Sequence, residues 1–172
     1  MAPEAPERVK HVLESGFITQ GPVAEAFESE TRTYLENEFT LTTNSATSAT
    51  HIALHLLKPV HGSWPGLNPD DEVLPTALTC TATNFPILAN GLKIKDVDST
   101  TGNISIDDLA RKLSSTTKII TFVHWGGNPV DLEAIKRVQD VAHSKFGFRP
   151  MVIEDCAHAM GAKWNGRPLG CA

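Results

Sequence analysis

The sequence has little that would suit it to nucleic acid, membranes or export. Its 172 residues carry 15 lysines and arginines against 20 aspartates and glutamates, a formal net charge of -5. The basic residues are scattered, and without a basic stripe general nucleic-acid binding is excluded. An anionic ligand would need a local site made by backbone amides. No segment approaches the apolar length of a membrane helix, so no membrane partner is expected. The opening stretch MAPEAPERVKHVLES lacks the apolar centre of a secretory signal. Cys80, Cys156 and Cys171 form no CxxC pair and cannot all be bridged. That usage suits a reducing compartment, and a cytoplasmic location is expected. No GxGxxG, GxxxxGK[ST] or GxSxG occurs, which removes the usual dinucleotide, nucleoside-triphosphate and serine-hydrolase readings. Internal repeats and low-complexity tracts are absent too.

What the chain does have is alternation. A hydrophobic share of 41% and a charged share of 20% are ordinary for a soluble globular protein. Residues 6–14 and 22–37 read as helices, the second opening with Pro22 at its first position. Its apolar residues Val23, Ala26, Phe27, Tyr34 and Leu35 fall near one face. A short strand is expected at 38–43 and a helix at 46–57. KPVHGSWPGLNPDD then reads as a loop. Buried strands are expected at 72–74, 92–97, 118–123 and 151–153, separated by helices at 79–89, 105–114 and 131–145. Strands spaced in this way imply crossover units. The fold class expected is α/β, one domain with a mainly parallel sheet flanked by helices.

Two segments carry chemistry. In NSATSATHIAL (44–54), small hydroxyl residues stand after a strand and before an apolar helix. Free N–H groups and the positive helix end converge there, as a phosphate requires. An ordinary N-cap has the same composition, so both readings stand. In IEDCAHA (153–159), Glu154 and Asp155 follow an apolar strand, at the end where open α/β sheets bind ligands. A carboxylate there can hold a cationic ring nitrogen, with His158 close in sequence. On this segment alone, a turn with an acidic cap is the preferred reading.

Taken together and in order, the segments GFITQGPVAEAFE (16–28), NSATSATHIAL, DEVLPTALTCTATNFPI (71–87), GLKIKDVDSTTGNIS (91–105), TKIITFVHWGGNPVDLEAI (117–135) and EDCAHAMGAKWNGRPLG (154–170) resemble the DegT/DnrJ/EryC1/StrS family of sugar-nucleotide aminotransferases. The resemblance implies a fold-type-I domain for pyridoxal 5'-phosphate or pyridoxamine 5'-phosphate, in a homodimer with sites at the subunit interface. Carried over by position, Thr47 and Ser48 would hold the cofactor phosphate and Asp155 would pair with the protonated pyridine nitrogen. His158 would contact the ring's phenolic oxygen. Many members place a ring-stacking aromatic in the segment matching 79–83. LTCTAT has Cys80 there, whose sulfur can still pack on a ring.

The family's Schiff-base lysine follows EDxAxA by a further strand and turn, in an SxxxxK context. After Asp155 this chain has only Lys163, in GAKWNGRPLG, where the family has a glycine-rich hairpin. The expectation is therefore an incomplete cofactor domain over 1–172, without the small C-terminal domain, without a catalytic residue of its own and inactive alone. An exposed sheet edge would make it self-associate. The complete protein would take a nucleotide-sugar substrate and an amino-acid donor, glutamate or glutamine. Two alternatives stand beside this: a naturally short binding or assembly module of the same fold, and a dehydratase relative with histidine in place of the lysine.

His51 and His55 have zinc spacing, but HIALH lacks the glutamate of HExxH and no third ligand is evident, so no metal is expected. His124, in FVHWGG, ends a strand at Asp155's sheet edge, as a site residue or as a hydrogen-bonded structural histidine. Asp96 and Asp98 fall in a loop that the family resemblance makes non-catalytic.

Overall fold

The computed structural model describes residues 2–171 and divides into two compact units, residues 2–42 and 43–170. In the first, α1 spans Ala5–Ser15 and α2 spans Pro22–Leu35. Pro22 sits at the start of α2 as expected, where its missing N–H costs nothing. Neither helix contains a buried residue, although α2 has the apolar spacing expected of a packed helix.

The strand expected at 38–43 is absent. Side chains of α2 take the backbone groups a strand would use. Arg32 donates to the Thr40 carbonyl at 3.0 Å, and Glu28 accepts both the N–H and the hydroxyl of Thr42 at 2.7 Å. A strand also needs a neighbour to pair with, and no ladder involves these residues among those described.

The second unit runs α3 (Ala46–Leu56), β1 (Glu72–Pro75), α4 (Thr81–Ala89), β2 (Lys93–Ile94), β3 (Ser99–Thr100), β4 (Asn103–Ile104), α5 (Ile106–Lys112), β5 (Thr117–Val123), α6 (Leu132–Phe146), β6 (Met151–Asp155), β7 (Lys163–Trp164) and β8 (Arg167–Pro168). Four strands form one parallel sheet in the order β2-β1-β5-β6. β3–β4 and β7–β8 are small antiparallel hairpins. The parallel sheet is the one expected. Its β2 is shorter than 92–97, yet the ladder to β1 continues through the bridge between Thr76 and Val97.

Side-chain alternation along the strands divides the core in two. Leu74, Ile120, Phe122 and Val152 pack with α5 and α6 through Leu109, Ile135 and Val138. Val73, Ile119, Met151 and Ile153 face the other way, toward Leu54 of α3 and Ile87 of α4. All of β5 is buried, as befits a strand between two others with helices on both faces. The same parity sorts the polar residues at the strand ends. Thr121 and Asp155 belong to the α3–α4 face, while His124 and Glu154 belong to the α6 face. No described helix is long and apolar enough to cross a membrane.

Candidate functional site

At the C-terminal end of the sheet, α3, α4, β5 and β6 border an open cleft of about 280 Å³. Ala46, Ala49 and Ala53 of α3 and Ala157 after β6 make its walls small and flat. Asp155, half-buried at the end of β6, lies at this slot. One carboxylate oxygen accepts the Thr83 hydroxyl at 3.2 Å and the other accepts the Ala157 N–H at 3.0 Å. Thr121, only 3% exposed, lines the slot with a buried hydroxyl that has no hydrogen-bond partner.

Ser45 caps α3, its hydroxyl accepting the Ser48 N–H at 3.1 Å. The capping reading of this segment is observed, and the remaining first-turn N–H groups have no partner within the helix, as at any helix start. Thr47 and Ser48 are half-buried in that first turn. Cys80 is the exposed N-cap residue of α4, and its side chain makes no capping bond. Of the residues singled out from sequence, Glu154 and Asp155 line the slot. Thr47, Ser48, Cys80 and His158 do not line it.

His158 is exposed but held. Its Nδ1 accepts the Gly126 N–H at 3.2 Å, and its ring meets the Trp125 ring edge-on with centroids 5.3 Å apart. His124, by contrast, is fully buried on the opposite face of the sheet. Its N–H donates to the Asp155 carbonyl at 3.2 Å. Its ring joins two partners, with Nδ1 accepting the Val130 N–H at 3.0 Å and Nε2 facing Glu154 at 3.0 Å. Sequence order put His124 at Asp155's sheet edge, which is where its backbone is. Its side chain is on the other side.

Glu154 and Cys156 have ligand atoms within 4.8 Å of His124, the one such group among the described residues. Because the Val130 N–H occupies the Nδ1 lone pair, the ring hydrogen sits on Nε2, which then has no lone pair for a metal. His51 and His55 belong to no such group. The His51 ring lies 3.4 Å from the Asn90 amide. Lys163 is an exposed residue of the β7–β8 hairpin, the hairpin expected at that segment. Asp98 accepts the Ser99 N–H at 2.8 Å, a turn role rather than a site role.

Sequence reading missed Thr83, Thr121 and the loop of residues 125–130. Thr83 stands in TCTAT, a hydroxyl cluster at a helix start, which was the available signal. Thr121 could have been found from strand parity with Asp155.

Chemically, the slot suits a flat cationic heteroaromatic ring. A carboxylate fixed by two hydrogen bonds can accept from a ring N–H⁺, alanines admit a ring face, and the buried Thr121 hydroxyl offers an unused polar contact. An open parallel α/β sheet with a ligand slot beyond its strand ends defines a ligand-binding domain of the doubly wound type. More particularly, the chain belongs to the DegT/DnrJ/EryC1/StrS aminotransferase family, whose model matches residues 1–172.

Solved structures agree. AtS13 of Actinomadura melliaura is 45% identical with a TM-score of 0.89, the match covering 98% of this chain and 44% of that one. The sugar aminotransferase CalS13 of Micromonospora echinospora is 43% identical with a TM-score of 0.87, covering 99% and 45%. A GDP-4-keto-6-deoxymannose-3-dehydratase, ColD, solved with a trapped PLP-glutamate geminal diamine, is 26% identical with a TM-score of 0.81, covering 95% and 41%. An uncharacterized protein of Methanocaldococcus jannaschii is 31% identical over 160 residues, 92% of this chain and 38% of its own length. The chain thus spans less than half the length of these relatives.

Proposed function

We propose that this chain is the cofactor-binding part of a pyridoxal-phosphate-dependent sugar aminotransferase whose whole protein extends into a second half. The whole protein then moves an amino group from an amino acid, glutamate or glutamine, to a ketosugar attached to a nucleotide, as a homodimer. The observation that carries the reading is the Asp155 carboxylate, fixed by Thr83 and Ala157 at an alanine-walled slot beyond β6. Family membership narrows the ligand that such a slot would take. Neighbouring structures of a Streptococcus pneumoniae putative sugar aminotransferase, 27% identical, exist in PLP and PMP forms.

The cofactor, when bound, supplies an electron sink. This chain's residues bind and orient. Asp155 would accept the pyridinium N–H and keep that proton in place, with Thr83 holding the carboxylate. Thr47 and Ser48, with the open N–H groups of α3, would take the phosphate. Cys80 would contribute to the ring face, and His158 would donate to the phenolic oxygen.

Titration of the chain with pyridoxamine 5'-phosphate, followed by its fluorescence, tests the site. Asp155→Asn keeps the shape and removes the charge, and a charge-assisted hydrogen bond of about 1.5–3 kcal/mol predicts affinity at least about tenfold weaker. Equal affinity of the two proteins removes the cofactor site and leaves a non-catalytic module of the same fold. The likeness to ColD favours a second reading, dehydration. Mass spectrometry on the whole protein with a nucleotide ketosugar and glutamate separates the two: an amine gained, or water lost.

A further inference from the structure

His158 and His124 lie on opposite sides of the sheet's end, one exposed and one fully buried, yet both rings are fixed by the same device. In each, Nδ1 accepts a backbone N–H, from Gly126 and from Val130. A ring whose Nδ1 lone pair is occupied carries its hydrogen on Nε2. The two donors belong to one loop, residues 125–130, and that loop directly follows His124.

The loop is clamped at both ends and in the middle. At its start the His124 N–H holds the Asp155 carbonyl, and at its far end the His124 ring holds the Val130 N–H. Between them Asn103 accepts the Trp125 N–H at 3.0 Å and donates to the carbonyls of Asn128 and Pro129 at 3.0 and 3.2 Å. The clamped loop closes on His158. A Cβ at Gly127, where φ is +80°, would stand 2.9 Å from the His158 carbonyl oxygen, so only glycine allows that approach. Glu154, next to Asp155 in β6, takes the other side of the His124 ring.

We propose that His124 is a positioning residue. By holding the Val130 N–H it fixes the loop that locks His158 in the Nε2–H form, so that the exposed ring can act only as a hydrogen-bond donor at Nε2. The consequence for ligand binding rests on the cofactor reading above. The tautomer lock does not, because it is a property of the chain alone. A donor fixed in this way favours a ligand oxygen that carries negative charge over a neutral hydroxyl, since the ring has no lone pair left to accept a hydroxyl hydrogen.

Two substitutions divide the His124 ring's bonds. Asn places its carbonyl oxygen near the position of Nδ1, so His124→Asn can keep the Val130 bond and loses Glu154. Gln reaches further, so His124→Gln can keep the Glu154 bond and loses Val130. Long-range proton–nitrogen NMR of the imidazoles, without cofactor, reads the tautomer of each ring. The expected result is Nε2–H for His124 and His158 in the unaltered chain, and Nε2–H for His158 in His124→Asn. In His124→Gln, the His158 signal should be averaged between the two tautomers. Pyridoxamine 5'-phosphate affinity should follow, within about twofold for Asn and roughly five- to tenfold weaker for Gln, the worth of one hydrogen bond.

A merely structural histidine would make the two variants alike, and that result overturns the proposal, as does an Nδ1–H ring at His158 in the unaltered chain. If His124→Gln does not fold, Asn103→Asp serves in its place. It keeps the Trp125 bond, releases the loop at Asn128 and Pro129, and must also average His158. If the unaltered chain fails to bind pyridoxamine 5'-phosphate, the cofactor reading falls, while the NMR arm still decides the lock.

Discussion

Helices α1 and α2 have apolar residues at helical spacing and bury none of them, whereas β5 is buried along its whole length. The two regions differ in what surrounds them within their own units. β5 lies between β1 and β6, with α3 and α4 on one face and α5 and α6 on the other. The unit of residues 2–42 has two helices and an irregular tail, and its order comes from polar clasps, Arg32 to Thr40 and Glu28 to Thr42. Periodicity states which face of an element is apolar. Burial needs a second element to cover that face, and helices of this length gain most of their stability from such cover.

The comparison breaks most visibly in the core. Phe122 is 1% exposed, inside the cluster with Leu74, Ile120 and Ile135. Phe122→Ala should cost about 3–5 kcal/mol, through lost transfer energy and the cavity left behind. Urea unfolding followed by tryptophan fluorescence measures this. A loss below about 1 kcal/mol would show that the sheet unit is loosely packed and that the contrast is overstated.

Acid sharpens the comparison, because depressed carboxylates lie in both units, Glu28 in the helical one and Asp108 and Glu72 in the sheet one. Asp108 is pushed well below the usual carboxylate range, first by the Asp98 N–H it accepts and then by Lys112 and Arg111. Glu28 is lowered by the Thr42 N–H and hydroxyl, with Arg32 adding to it. A carboxylate whose folded pKa is depressed stabilises fully above its unfolded value, about pH 4, and that contribution is lost as pH falls through the folded value. Asp108 is lowered to the greater extent, so on acidification Glu28 should protonate first in the folded chain, and its clasp in the helical unit should open before the Asp108 bonds do. The one tyrosine, Tyr34, is in the helical unit, and Trp64, Trp125 and Trp164 are all in the sheet unit. Tyrosine and tryptophan fluorescence therefore report the two separately. Glu28→Gln should remove the acid step from the tyrosine signal alone. Coincident transitions in both signals would mean that the units do not titrate independently.

The sheet was legible because strands flanked by helices at regular intervals leave few topologies open. Asp155 was legible because an acidic pair after an apolar strand falls where parallel sheets bind ligands. The strand expected at 38–43 does not form, for a reason local sequence does not carry. Whether an extended segment pairs depends on a neighbour, and here Arg32 and Glu28 took its backbone groups. His124 was placed at the right edge but not on a face, though counting along β5 from Phe122 would have supplied it. Thr83 contacts Asp155 across 72 residues, a separation no window of sequence spans.

The smallest effect is the most direct check on the contrast between the units. Phe27 lies in α2 and is 57% exposed. Serine and phenylalanine have similar helix propensities, so Phe27→Ser changes the exposed apolar surface with little effect on the helix. With little burial to lose, the unfolding free energy should move by no more than about 0.5 kcal/mol. A loss of about 2 kcal/mol would mean that something covers this ring in solution. Repeating the unfolding over a hundredfold range of protein concentration identifies it. A midpoint that rises with concentration in the unaltered chain, and not in Phe27→Ser, assigns the cover to a second copy, because association stabilises by mass action. A midpoint independent of concentration assigns it to the chain's own residues, and the helical unit would then have the core that its spacing implies.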